Sequence, residues 1–436
     1  MADQKANFVA KCQPEGTNEP EPKHPRTDDG EGPATSTTQL TDVVDDCLER
    51  IFMHLSLEDF LNIAHTNKEL KPAADMAFQR KFGKTEFYLC DEIYFGSDDD
   101  IVEISDKKSQ LRLLRCFGHL ITKLEIEGEF AKKLIGYANE YCFNSLTAIN
   151  IAGFDYIRNN LLPKPFANVE VVKLFNCKFC ADTNFKKWFP AIRRLELDWC
   201  STFTKGMFIV KNIPQLEHLK ICYDSDIRPK NICTSLRNNP QLRSLWLGGI
   251  VPPKGFWQTC QTLSQLESIQ IESAANFKNV DTAVNFPALK KLDINIEEND
   301  LRLMTSEENL ITFGQLKNIT LQLPLCSSIN SLKWSNFFKK NQSIEKVSFW
   351  LQSDSRISET IMTAAAQELP LLKELNHFSY GFSIDQIFDF IGKFNVMNYS
   401  FLLKSRTEFD ILKNRLGAEW NASIYEGFCI KLNRKP

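Results

Sequence analysis

From Ile121 onward one short apolar pattern returns at nearly constant intervals, and few features constrain a fold as tightly. The pattern is a large apolar residue, a second three positions later and a third two positions after that. It stands at Ile121/Leu124/Ile126, Leu146/Ile149/Ile151, Val169/Val172/Leu174, Ile192/Leu195/Leu197, Leu216/Leu219/Ile221, Leu242/Leu245/Leu247, Leu266/Ile269/Ile271, Leu289/Leu292/Ile294, Leu316/Ile319/Leu321 and Ile344/Val347/Phe349. Successive starts lie 23 to 28 residues apart. The step of two between the second and third residues puts both on one face of a strand. A chain repeating at this period stacks one strand-bearing coil per repeat, each coil covering the apolar face of the next. Proline keeps the same phase: Pro190, Pro214, Pro240, Pro287 and Pro370 each stand two residues before a unit's first apolar residue, where a helix must stop and a strand begin.

That period fits a leucine-rich repeat, in which a short strand and a following helix or turn make one coil of a solenoid. The predicted fold is α/β, a horseshoe with a parallel concave sheet, over residues 121–403. Cys177 and Cys200 fall where such repeats place Asn or Cys to bond the turn backbone. Leu372/Leu375 with His377, and Val396/Tyr399/Phe401, read as degenerate last units. A helix over Phe409–Leu416 and a final strand near Ile424–Leu432 complete a C-terminal cap, 404–436. Leu195, Leu219, Leu245 and Leu292 are expected to point inward, and Ser244 outward. The residues before, between and after the inward ones then line the concave sheet: Phe175, Arg194, Glu196, His218, Lys220, Trp246, Lys291, Asp293 and Trp350. Aromatics on a solvated sheet face are costly unless covered, so these are the candidate target-binding residues, with Trp246 as anchor and Phe175 and Trp350 beside it.

Before the repeats, Val43–Phe82 has helical patterning. Cys47, Leu48, Ile51, Phe52 and Leu55 make two adjacent apolar rows, with Asp45 or Asp46 as the expected N-cap. Ser56 and Asp59 have capping-box spacing ahead of Phe60, Leu61 and Ala64. A third helix is expected from about Pro72 to Phe82. Three short helices bury too little surface to stand alone, so their apolar excess predicts a docking partner.

The run Val44-Asp45-Asp46-Cys47-Leu48, then Ile51-Phe52, Leu55-Ser56-Leu57 and Asp59-Phe60-Leu61, resembles an F-box of the kind found in insect F-box proteins with leucine-rich repeats. The sequence departs from the usual motif at Val43-Val44, where Leu-Pro is common, and at Thr66-Asn67 and Leu70. The resemblance implies that Val44, Leu48, Ile51, Phe52, Leu55, Leu57, Phe60 and Leu61 bind the Skp-type adaptor of a cullin-based ubiquitin ligase while the repeats select a protein target. It implies a receptor subunit and not an enzyme. The other reading is a leucine-rich-repeat scaffold or inhibitor that binds a protein without ubiquitination.

Composition serves to exclude. A formal net charge of -3, from 52 basic and 55 acidic residues, gives no reason to expect nucleic acid or an anionic membrane as partner. No run approaches the roughly 20 apolar residues of a membrane span, and Met1–Lys11 lacks a signal-peptide core. Thirteen Cys without a framework of short spacings are expected as reduced thiols in an intracellular protein, cytoplasmic or nuclear. Residues 1–38 are too poor in large apolar residues to order, so the domains are read as a tail (1–38), the F-box (39–82), a linking strand and helix that make the first solenoid element (83–120), the repeats and the cap. In the linking part, Thr85–Leu89 alternates like a strand, Ser97–Asp100 reads as an exposed acidic turn, and Asp106 caps a helix to about Phe117. Gly83-Lys84-Thr85 lacks the earlier Gly of a phosphate loop. Cys177-x-x-Cys180 lacks the second pair a zinc site needs, and the six His are scattered, so no metal, cofactor or catalytic residue is predicted.

Overall fold

The computed structural model describes residues 43–91, 101–128, 130–154, 162–179, 183–202, 210–222, 229–275, 277, 280, 283–296, 311–323, 331–351, 355–378, 382–425 and 429–435. The expected tail (1–38) and the acidic turn at Ser97–Asp100 lie outside them.

Three helices open the described chain: α1 (Asp45–Phe52), α2 (Leu57–Thr66) and α3 (Lys71–Phe82). Strands β1 (Glu86–Leu89) and β2 (Ile101–Ile104) follow, then α4 (Lys107–Phe117), β3 (Lys123–Ile126), α5 (Ala131–Tyr141), β4 (Ala148–Ala152) and β5 (Val171–Phe175). Next come the short β6 (Lys178–Phe179), β7 (Arg194–Asp198), the short β8 (Ser201–Thr202), β9 (His218–Cys222), β10 (Ser244–Gly248) and β11 (Ser268–Ala274). The rest are β12 (Val284–Phe286), β13 (Lys291–Asn295), β14 (Ile311–Phe313), β15 (Asn318–Leu323), β16 (Lys346–Leu351), β17 (Glu374–Phe378), β18 (Asn398–Leu402), β19 (Trp420–Tyr425) and β20 (Cys429–Arg434).

Sixteen of these strands form one sheet, in the order β19-β20-β18-β17-β16-β15-β13-β11-β10-β9-β7-β5-β4-β3-β1-β2. The fold is mixed α/β, with parallel pairing from β2 to β18 and a register that follows the repeat. Leu195 pairs with Val172 and Leu219, Leu245 with Leu219 and Ile269, and Leu292 with Ile269 and Ile319. Leu195, Leu245 and Leu292 are fully buried and Leu219 is 2% exposed, so the second apolar residues stack into a continuous core. Their neighbours Arg194, His218, Ser244 and Lys291 are all partly or fully exposed.

The turn after four of the strands also repeats. Gly153, Asn176, Trp199 and Gly249 follow β4, β5, β7 and β10 directly, and all have a positive φ, between 49 and 69°. The thiols of Cys177 and Cys200 donate to the carbonyls of Ile151 (3.4 Å) and Leu174 (3.3 Å) in the preceding coil, tying turn to turn. Glycine adopts that backbone freely, and asparagine tolerates it; tryptophan there is uncommon.

Several sequence expectations need correction. The N-cap of α1 is Val44, without a side-chain cap, and Asp45 and Asp46 lie inside the first turn, where their charge suits the helix dipole. The Ser56–Asp59 capping box forms as spaced. The linking segment, expected as one strand and a helix forming the first solenoid element, supplies two strands of the sheet: β1 lies between β3 and β2, with Phe87 and Leu89 paired to Leu124 and Ile126. The C-terminal end carries a hairpin of β19 and β20, where one strand near 424–432 was expected. It runs antiparallel to β18, pairing Tyr399 with Leu432 and Phe401 with Ile430.

Candidate functional site

The surface of α1 divides sharply. Leu48 and Phe52 are 2% and 1% exposed, whereas Val44 and Ile51 are 67% and 50% exposed. Cys47 is exposed too, so Val44, Cys47 and Ile51, at helical spacing, present one apolar side outward. Leu55 and Leu57, in and after the turn that follows, are half-exposed. The helix is held from behind: Lys81 Nζ donates to the carbonyls of Met53 (3.1 Å) and Leu55 (2.6 Å) at its C-terminal end, and Arg80 pairs with Glu49 at 3.0 Å.

Phe60 and Leu61, expected among the docking residues, are buried at 0% and 1%. Phe60 packs edge-on against Phe78, Phe82 and Phe117, and Phe78 stacks on Phe87 of β1 and Phe117 of α4. The apolar excess that predicted an external partner is therefore covered in part by the chain's own α4 and β1. Leu48, Phe52, Phe60 and Leu61 are core side chains of the chain itself. What stays outward is the side of Val44, Cys47 and Ile51.

The sheet's other candidate surface is the face away from the buried leucines. Phe175 and Trp350 are 47% and 50% exposed there. Trp350 lies on Phe378 of the next strand, ring centroids 4.5 Å apart and planes at 26°. Arg194 is exposed and paired to Glu196, which is buried at 8%. His218 is half-buried, and burial followed by the nearby Arg194 guanidinium draws its pKa down. Lys291 is exposed and Asp293 half-buried.

Trp246 differs from the free anchor its sequence position predicted. Lys220 Nζ lies 4.1 Å from the centre of its ring, and its Nε1–H donates to Glu272 Oε1 at 2.8 Å. Lys220 is itself paired to Asp198 at 2.8 Å; burial works to lower its pKa, but this hydrogen bond carries it above the ordinary lysine value. Asp198, Lys220, Trp246 and Glu272 thus form a polar line across β7, β9, β10 and β11. Alternation along β11 places Glu272 on this face, directly after the third apolar residue of its unit, Ile271. Gly248 makes room for the carboxylate, since a Cβ there would come 2.8 Å from Glu272 Oε2 and 2.5 Å from the Cys222 sulfur.

Nearer the N-terminal end a cavity of about 320 Å³ opens on the sheet, with Glu86, Lys123, Asn150, Lys173 and Arg194 in its lining. Beside it burial, and then the charge of Glu86, push the Glu125 carboxyl above its usual range. Among the described residues no group of three or more His, Cys, Asp or Glu could hold a metal ion, and no helix is long and apolar enough to cross a membrane.

No protein-family model matches the chain, and no curated protein matches it. Among solved structures it is similar to a chain in the crystal structure of the Rad7 and Elc1 complex in yeast, at 14% identity and a TM-score of 0.40, over 77% of this chain and 88% of that one. The functional reading rests on the residues themselves.

Proposed function

We propose that the chain is the substrate-recognition subunit of an SCF-type ubiquitin ligase, in which α1 to α3 are an F-box and the following coils are leucine-rich repeats. The F-box docks a Skp-type adaptor and, through it, a cullin; the open sheet face binds a protein target. The observation that carries this reading is the outward apolar side of α1, where Val44 and Ile51 stay exposed although the rest of the helix is anchored. An apolar side fixed on a rigid helix suits a constitutive docking contact, because little further ordering is needed on binding. The receptor does no bond chemistry: it raises the local concentration of a target near a charged conjugating enzyme.

Affinity capture of the tagged protein from its own cells, read by mass spectrometry, tests this. Adaptor and cullin should accompany the wild type and be missing with Ile51→Asp. Capture of a target without adaptor or cullin from the wild type would overturn the ligase reading in favour of a scaffold that binds a protein without ubiquitination.

A further inference from the structure

The long sheet ends, among the described residues, in two strands that have a neighbour on one side only, β2 and β19. The free N–H and C=O groups of such an edge accept a further strand, and folded proteins guard against this with charged residues, proline or a short strand. The β2 edge is guarded in that way, being four residues long with Glu103 within it. Strand β19, Trp-Asn-Ala-Ser-Ile-Tyr, is six residues long and carries no charge and no proline.

The register shows which groups this edge offers. Lys435 N–H donates to the Glu419 carbonyl at 2.7 Å, while Arg434 N–H donates to the Met397 carbonyl at 2.8 Å on the other side of β20. Backbone direction alternates along a strand, so Asn433 and Lys431 face β19 and bond to Asn421 and Ser423 opposite them. Ala422 and Ile424 then turn their N–H and C=O groups to the free edge. Their side chains are also incompletely covered. Leu432 and Ile430, opposite them on β20, are fully buried, whereas Ala422 and Ile424 are half-exposed. Ser423, between them, is exposed on the other face of the sheet.

These features match the same strand of a second copy. Laid antiparallel about a twofold axis at Ser423, Ala422 comes opposite Ile424 of the second copy, and Ile424 opposite its Ala422. Each of these pairs can exchange both of its N–H to C=O bonds, and on the core face a small apolar side chain meets a large one. Absence of charge suits self-pairing in particular, because like charges directly opposite each other repel. A twofold contact of this kind also uses both edges and closes on itself.

We infer that the chain self-associates, two copies joining antiparallel through β19 about Ser423 to continue one sheet into the other. Helices α1 to α3 pack on β1, near the opposite end of the strand order, so the outward side of α1 stays open in the dimer. This association does not depend on the ligase reading.

Sedimentation equilibrium of the purified full-length chain tests it. An edge-to-edge contact buries less than the roughly 1,200 Å² of a tight complex, so dissociation should fall at roughly 1–100 μM. Over that range the mass should rise from 50.1 kDa toward twice that value. Ala422→Pro removes an N–H that the β19–β20 ladder does not use, and should weaken association by about tenfold or more at an unchanged melting temperature. Ser423→Cys reads the register: at the axis the two thiols face each other at a Cα separation of about 4.5–5.5 Å, which a disulfide accepts, so mild oxidation should link the copies. Asn421→Cys, away from the axis, should link no more than the wild type. A wild-type mass that stays at the monomer overturns the inference; if deletion of residues 1–42 then produces a dimer, the edge belongs to that segment of the same chain. A dimer that Ala422→Pro leaves intact overturns it too, as does equal cross-linking of the two cysteine variants. Should Ala422→Pro melt early, the comparison of Ser423→Cys with Asn421→Cys decides by itself.

Discussion

The ring of Phe78 in α3 lies flat on that of Phe117 in α4, with centroids 4.1 Å apart and planes 2° apart. Phe78 also stacks on Phe87 of β1, so one side chain joins the N-terminal helices to the sheet. Truncation there removes a fully buried aromatic ring and several ring contacts at once. Phe78→Ala should cost about 3–5 kcal/mol in urea unfolding and loosen α1 to α3 together with β1. Loss of helix α3 alone, with the sheet transition unchanged, would show that the two parts are not joined as described.

Ile51 and Phe52 are neighbours in sequence with opposite fates, 50% and 1% exposed. Ile51→Asp should change stability by no more than about 0.5 kcal/mol and abolish adaptor capture. Phe52→Ala should lower stability by about 3–5 kcal/mol, so any loss of adaptor binding in that variant follows from lost structure. A thermal melt of each, run beside a titration with purified adaptor, separates the two; equal destabilisation would contradict the division of α1.

Within the sheet the same contrast falls on Leu245 and Ser244. Leu245→Ala should cost roughly 2–5 kcal/mol, because the coils on either side cannot collapse into the cavity. Ser244→Ala should stay within about 0.5 kcal/mol. Equal losses in chemical denaturation would mean that the strand is out of the assigned register.

His377 takes a core position, paired across the sheet with Phe349 and Phe401, and is fully buried against Phe382. Burial lowers its pKa to about 4. The unfolded chain protonates this imidazole near pH 6.5 and the folded one only near pH 4. The folded state is therefore undisturbed above about pH 6.5, and stability falls as pH drops from there toward 4, by up to about 3 kcal/mol. His377→Leu should flatten that part of a urea-midpoint series against pH, and an unchanged slope would assign the acid sensitivity elsewhere.

How much of this was legible beforehand depends on the range of the interaction concerned. The repeat register from Leu124 to Phe401 was readable from sequence because a strand's alternation and the coil's period are local properties, and proline marked the phase of five coils independently. The Ser56–Asp59 cap was readable for the same reason. Neighbours distant in sequence decided the rest. Both Ile51 and Phe52 are apolar residues on one helix, and only the packing of α3 against it, with Arg80 on Glu49 and Lys81 on its C-terminal carbonyls, determines which side of α1 is covered. Trp246 and Trp350 stand on equivalent strands of one sheet face, yet a lysine and a glutamate from adjoining coils hold the first while the second lies on Phe378 and stays half open. The place of β1 between β3 and β2, and the antiparallel closure by β19 and β20, carry no periodic signature, since pairing at a sheet's ends depends on which strand reaches the free edge. Periodicity alone determined that this chain stacks coils into one sheet; the tertiary structure decided which of its apolar and charged side chains are left for a partner, because exposure is a property of the neighbours and not of the residue.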